Sequence, residues 1–353
     1  MDRCGRTPAD PPPTRSTGSR PSSRPCLPAS PMPRPNLFLI GAAKAGTTSL
    51  ARFLAGLPGV ALSPIKEPCH FCPDINAETA AEQHRQTRLR LDRYLAADIR
   101  PPLHLHPVPR RADYERLFDG TEKAQLRGEC STRYLPSRVA ARAIHAYAPD
   151  ARILVLLREP AARILSHYLM DWRTGVERRS LEACLCEEIA LGSAARFSNC
   201  RMYLAQTDYA PMLARYRALF PAAQLGVYRF EDLVSDPDRN LSDLLRFLGI
   251  EHPSGALSLP MENASGQTAR RPALDRALYL TGAKRHLERL VPLCLPLSWR
   301  RGLKRLYFTD TAHVAEQAGE AWRHLPEVRG LVEAYPMPET VVSRPVPALR
   351  QAG

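Results

Sequence analysis

"NLFLIGAAKAGTTSL", residues Asn36–Leu50, joins a short apolar run to a loop bounded by two glycines, with one lysine inside it and hydroxyl residues at its end. The apolar run predicts a buried strand, and the periodicity continuing through "SLARFLAGL" predicts a helix that starts at the hydroxyls. A strand that feeds a helix through a glycine loop suits an anion, because glycine lets backbone N–H groups approach oxygens and the helix dipole favours negative charge. Gly41 and Gly46 stand five positions apart, as in the nucleotide-hydrolysing pattern G-x-x-x-x-G-K-[ST]. Here Thr47 follows Gly46, and the lysine is Lys44, inside the loop. Nucleotide hydrolysis needs its lysine on the β/γ-phosphates and its hydroxyl on magnesium. Lys44 with Thr47, Thr48 and Ser49 as further donors fits a terminal anionic group held without a metal.

Outward from the loop, strand and helix signals alternate. "GVALS" and "QLRGE" read as strands, and "RILVLL" reads as a buried strand whose following helix opens at Pro160, where proline is tolerated. "DYAPMLARYRALF", "QLGVYRF" and "DPDRNLSDLLRFLGI" read as helix, strand, helix. Such alternation predicts parallel βαβ units. The expected fold is a P-loop-like three-layer α/β/α domain with a central, mainly parallel sheet, spanning residues 36–312. Residues 1–35 hold ten prolines and six arginines, so burial cannot offset their ordering entropy and disorder is expected. Residues 313–353 are expected to form a helical or irregular tail. Polar helices are expected within 78–97, and "RPPLHLHPVPRR" reads as a loop. The pocket segments 74–125 and 174–206 carry no readable code.

The 353 residues carry a formal charge of +13, which suits an acidic partner, yet arginine-rich usage alone raises this figure. Nine scattered cysteines, an odd number, argue against a disulfide framework and for a reducing compartment. No run of eighteen apolar residues spans a bilayer, and the N-terminal arginines lack the apolar stretch of a secretory signal. Cytoplasmic residence without membrane insertion is expected. "CHFC" at Cys69–Cys72, with His104 and His106, has metal-ligand chemistry, but one C-x-x-C without a second is too little, and no metal is expected.

Two motifs together resemble the sulfotransferases that use 3′-phosphoadenosine 5′-phosphosulfate, PAPS. The loop matches the family's 5′-phosphosulfate element at Gly41, Lys44, Gly46, Thr47, Thr48 and Ser49, with Ala45 between them. "REPAARILSHY" is similar to the 3′-phosphate element, implying Arg158 and, eight residues on, Ser166. A ligand outside the carboxyl ends of two parallel strands meets both elements, and arginine supplies a planar fork suited to phosphate. "SPIKEPCHF" resembles a segment of carbohydrate sulfotransferases, notably the heparan sulfate group, whose glutamate acts as base. That implies Glu67 as base, Lys44 on the leaving-phosphate side with Lys66 assisting, and His70 as rival base. Cys69 is inserted before His70, and Cys72 stands where a second phenylalanine is usual. "GECSTRYL" resembles G-E-K-S/T-P-x-Y, aligning Gly128, Glu129, Ser131 and Tyr134 with Cys130 in the lysine's place. "YRFEDLVSDPDRNLSDLLRFLGI" is similar to the family's closing segment, expected to pack, and "NASGQTARR" implies Arg270 or Arg271 at the 3′-phosphate. The resemblance covers residues 36–310.

It implies O-sulfation with PAPS as donor, PAP as product and no metal, on a glycan hydroxyl, or on a lipid or secondary metabolite. A base is required because a sugar hydroxyl is a poor nucleophile until its proton is accepted. The alternatives are a P-loop kinase or NTPase, opposed by Thr47 after Gly46 and by the lack of an acidic strand end for magnesium, and a non-catalytic anion- or nucleic-acid-binding module, which has net charge alone in its favour. No nucleic-acid partner is expected.

Overall fold

A computed structural model gives the fold and describes residues 33–86, 91–97, 100, 102–251, 256–260, 267–269, 308–310 and 330. β1 (Leu37–Leu39) is buried throughout, as its unbroken apolar run demands, and leads through the glycine loop to α1 (Thr47–Ala55). β2 (Val60–Leu62), β3 (Ile65–Lys66), α2 (Pro73–Gln86), α3 (Leu91–Ala96), β4 (Leu103–His104) and α4 (Arg111–Glu115) follow. Next come β5 (Leu126–Cys130), α5 (Ala140–Tyr147), β6 (Arg152–Leu157), α6 (Pro160–Thr174) and α7 (Leu181–Leu191). α8 (Tyr209–Arg217), β7 (Leu225–Arg229), α9 (Phe230–Ser235) and α10 (Pro237–Leu248) lead to an antiparallel pair, β8 (Gln267–Ala269) and β9 (Phe308–Asp310).

The central sheet has five parallel strands in the order β2-β5-β1-β6-β7, flanked by helices. Leu37 lies opposite Gly128 on one side and Arg152 on the other, so the apolar runs of β1 and β6 stack over one core. From β1 the chain moves toward β2, and from β6 it moves the other way, toward β7. The crevice between the carboxyl ends of β1 and β6 is thus a topological switch point, where ligands of open parallel sheets bind. A second apolar cluster, including Ile164, Leu169, Leu181 and Leu185, fixes α6 against α7.

The structure departs from the sequence reading in two places. "RPPLHLHPVPRR" is not wholly loop: Leu103 and His104 pair in parallel with Ile65 and Lys66. Residues 174–206 contain α7, whose buried Leu181, Cys184, Leu185 and Glu188 recur at helical spacing, with Ser180 accepting from Ala183 N at its start. Residues 1–32, most of 313–353, and Arg270 and Arg271 lie outside the described residues.

Candidate active site

The glycine loop continues the ladder of β1 before it turns. Ile40 N donates to Leu154 O and Ala42 N to Leu156 O, which ties the loop to β6. Lys44 (φ 69°) and Gly46 (φ 85°) then take left-handed conformations, which only glycine adopts without cost. Gly46 is doubly constrained, since a Cβ there would lie 2.5 Å from the Phe230 ring. Gly46 caps α1 without a side-chain hydrogen bond, so the helix presents its first N–H groups toward the loop. Thr47 also reaches across to β5, bonding the buried Cys130 thiol, which burial pushes up to about 12.

Arg158 closes the other side of the crevice. One of its terminal nitrogens donates to Lys44 O at 3.0 Å, and its guanidinium lies over the Phe230 ring at 5.2 Å. Its buried Nε has no hydrogen-bond partner among the described residues. The N-terminus of α6 is already satisfied, with Glu159 accepting from Ala161 N and Ala162 N. An anion in this crevice would therefore meet α1, the loop and Arg158 rather than the start of α6. Ser166 is half-buried on α6, two turns along. Four residues further, Met170 Sδ accepts from Lys44 Nζ at 3.4 Å.

Lys44 is pushed down to about 8, first by burial and then by Arg173, Arg158 and Lys66, with Asp171 opposing. Cations outnumber carboxylates around it, so an anion placed there would restore its charge. Met170, Asp171 and Arg173 were missed by the sequence reading. Their signal is the helical spacing from Ser166, which puts Met170 and Arg173 on the Ser166 side of α6.

Glu67 follows β3 with φ 65°, a left-handed turn that breaks strand alternation and lets Lys66 Nζ meet its Oε1 at 3.3 Å. Thr132, just past β5, donates its hydroxyl to Oε1 and its N–H to Oε2, both at 2.9 Å. Cys69 Sγ approaches Oε2 at 3.9 Å. Burial pushes this carboxyl up, but Lys66, His104, Arg133 and the Thr132 hydroxyl more than offset it, so the carboxyl is held below its ordinary value. His104 lies opposite Lys66 in the β3–β4 ladder. Its imidazole is lowered by burial, Lys66 and Lys44, with Glu67 opposing. Thr132 and Arg133 were also missed by the sequence reading, and His104 was considered only as a metal ligand. Parallel pairing over so few residues leaves no periodic trace.

The Glu67 loop is held from below by a second carboxylate. Glu129 Oε1 accepts from Tyr114 OH (2.6 Å) and Tyr134 OH (2.7 Å), and Oε2 from Ser131 Oγ (2.7 Å). Ser131 Oγ in turn accepts from Cys69 N, and Tyr134 OH from His70 N. The "GECSTRYL" segment thus fixes the backbone of "KEPCHF". His70 stacks on Tyr114 at 4.4 Å, and its Nδ1 bonds Val108 O at 2.7 Å, which leaves Nε2 as the unprotonated nitrogen of the neutral ring. Burial lowers the His70 imidazole, with Arg111 adding to the effect. Cys69 and Cys72 are buried, and among the described residues no group of three or more His, Cys, Asp or Glu could hold a metal ion. No described helix is long and apolar enough to cross a membrane.

A five-stranded parallel sheet flanked by helices, with a glycine loop after its central strand and an arginine at the end of the neighbouring one, defines a P-loop-like α/β domain. The sequence profile of the sulfotransferase family matches residues 35–254, and the chain belongs to that family. It is 24% identical over 278 residues to carbohydrate sulfotransferase 15 of Rattus norvegicus, covering 69% of this chain and 48% of that protein. To heparan sulfate glucosamine 3-O-sulfotransferase 6 of Homo sapiens it is 30% identical over 139 residues, 39% of each chain. The chain spans about half the length, or less, of these relatives. The crystal structure of a sulfotransferase from Alicyclobacillus acidocaldarius superposes with a TM-score of 0.52 at 28% identity, covering 76% of this chain and 99% of that one.

Proposed function

We propose that the protein transfers the sulfuryl group of PAPS to a hydroxyl, with a glycan as the favoured acceptor. The observation that carries this reading is the excess of cations at Lys44, where Arg173, Arg158 and Lys66 bear on it and the buried Nε of Arg158 has no partner among the described residues. An anionic nucleotide satisfies both, and the residues present fit it. Gly41, Ala45, Gly46, Thr47, Thr48 and Ser49 would hold the 5′ end. Arg158 and Ser166 would hold the 3′-phosphate, with Arg270 or Arg271 added from outside the described residues. Bound there, PAPS supplies an activated sulfuryl group. Lys44 would then meet the charge that develops on the leaving phosphate, and Glu67 would accept the acceptor's proton as general base. Sugars as acceptors follow the carbohydrate and heparan sulfate relatives.

Adenosine 3′,5′-bisphosphate should raise the melting temperature without magnesium, and labelled PAPS should transfer its sulfate to a member of a panel of heparan sulfate, chondroitin, lipid and phenolic acceptors. Preferential stabilisation by ATP with magnesium would overturn the reading in favour of a kinase.

A further inference from the structure

Lys44 reaches from the glycine loop to the side of α6, where its Nζ donates to Met170 Sδ at 3.4 Å. Among the described residues no other acceptor bonds the ammonium. The acidic residue of this turn, Asp171, is one position further on, so its side chain leaves the helix about 100° away. Its Oδ2 accepts from Tyr203 OH at 2.9 Å and lies 3.8 Å from His167 Nε2. That oxygen is taken up by the turn that carries Tyr203, and the ammonium rests on a neutral sulfur. The type of acceptor matters. An ammonium has three donors, and a thioether is a weak acceptor that occupies one of them. Two donors stay available to an incoming anion, and the sulfur fixes the direction of Nζ without cancelling its charge. A carboxylate in the same place would cancel it, and an aliphatic chain would leave Nζ without a fixed direction. Arg173 of α6, Arg158 at the end of β6 and Lys66 at the end of β3 repel the ammonium, with Asp171 opposing them, so its position depends on what holds it.

We infer that Met170 is a positioning residue for Lys44, a neutral acceptor that aims the ammonium into the crevice and is too weak to compete with an anionic nucleotide for it. The inference rests on the sulfuryl-transfer reading and deepens it. Charge grows on the leaving phosphate as the bond from sulfur to the bridging oxygen breaks, and Lys44 is the group placed to meet it. Met170 acts through Lys44: an ammonium already held in direction reorganises less as that charge develops. Methionine suits the task because its unbranched chain reaches across the gap and its polarizable sulfur accepts softly.

Three substitutions in the full chain separate acceptor, charge and bulk. Labelled PAPS with heparan sulfate and chondroitin gives kcat and KM, and thermal shift gives the binding of adenosine 3′,5′-bisphosphate. Met170→Leu keeps the bulk and removes the acceptor, so kcat should fall about 10-fold, the worth of a weak hydrogen bond to a charged group, with KM for PAPS nearly unchanged. Met170→Gln puts back a neutral acceptor on an unbranched chain and should recover most of that loss. Met170→Glu should pair with Lys44 and weaken nucleotide binding by more than ~10-fold. A Leu variant that turns over like the wild type, a Gln variant as slow as the Leu one, or a Glu variant with wild-type protection overturns the assignment. A second readout needs neither acceptor nor nucleotide. The chain has five lysines, and Lys44 is identified by the NMR signal missing from Lys44→Arg. Its titration midpoint, about 8 in the wild type, should move down in Met170→Leu, where the ammonium loses its acceptor, and up in Met170→Glu. An unmoved midpoint in either variant overturns the contact. If the wild type is neither protected by adenosine 3′,5′-bisphosphate nor forms a sulfated product, the sulfuryl-transfer reading fails and the positioning role fails with it, whatever the midpoints show.

Discussion

Two buried carboxylates of the same small region behave in opposite ways. Glu67 is 6% exposed and Glu129 2% exposed, yet the first is held below its ordinary value and the second is pushed up to about 7. Burial raises both. Around Glu67, Lys66 first, then His104, Arg133 and the Thr132 hydroxyl, overturn that effect. Around Glu129, three neutral hydroxyls from Tyr114, Ser131 and Tyr134 moderate it only in part, and the Glu67 charge adds to it. Cations make a buried carboxylate a permanent anion for chemistry, whereas hydroxyls make a proton-sharing anchor for a loop.

The largest expected effect falls on Glu67, the base proposed above. Glu67→Gln should reduce sulfate transfer by about 10²–10⁴-fold while nucleotide protection persists, measured with labelled PAPS and by thermal shift. Near-normal turnover would remove Glu67 from the reaction.

The second prediction concerns pH. Because the folded value of Glu129 is raised from 4.5 to about 7, the native state binds more protons than the unfolded chain across that window. Its contribution is fully present below the unfolded value and is lost as pH rises through the folded one, by about 3 kcal/mol in total. Glu67 has the opposite sign, since its depressed value contributes stability above its ordinary range and loses it on acidification below. Urea melts of Glu129→Gln should therefore lack the wild-type decline between pH 4.5 and 7. An identical slope in both proteins would show that Glu129 does not titrate there.

Removing the cation should make Glu67 resemble Glu129. Lys66→Met should raise the Glu67 carboxyl and cost about 2 kcal/mol at pH 7, less in acid, because two Thr132 donors remain. Equal losses at pH 4 and 7 would contradict this. The smallest effect sharpens the anchor: Tyr134→Phe removes one donor to Glu129 and the acceptor for His70 N, for about 1 kcal/mol. Amide exchange should speed up at His70, where an unchanged rate would mean the hydroxyl does not hold that loop.

What could be read from sequence follows how locally each feature is encoded. The anion loop lies within residues 41–49, and β6 is a single apolar run, so strand, loop and helix declare themselves in one window. The loop's ties to β6 and α6, Ala42 N to Leu156 O, Lys44 Nζ to Met170 Sδ and Arg158 to Lys44 O, join segments that are each legible by themselves. The surroundings of Glu67 are assembled from fragments. Glu67, His104 and Thr132 come from three segments, joined by a two-residue ladder and a left-handed turn. Prolines on both sides of "LHLH" make that strand look like loop.

The Phe230 ring, in a segment read from sequence as packing, lies against Gly46 and under Arg158 at once. Gly46 also sits at φ 85°, so any side chain there meets a steric fault and a torsional one together. Trimming the ring would relieve only the first fault and would strip the guanidinium of its aromatic support. Positions 46 and 230 are therefore free to drift only as a pair, and a double-mutant cycle between them should be strongly non-additive although they come from opposite ends of the sheet's chain order.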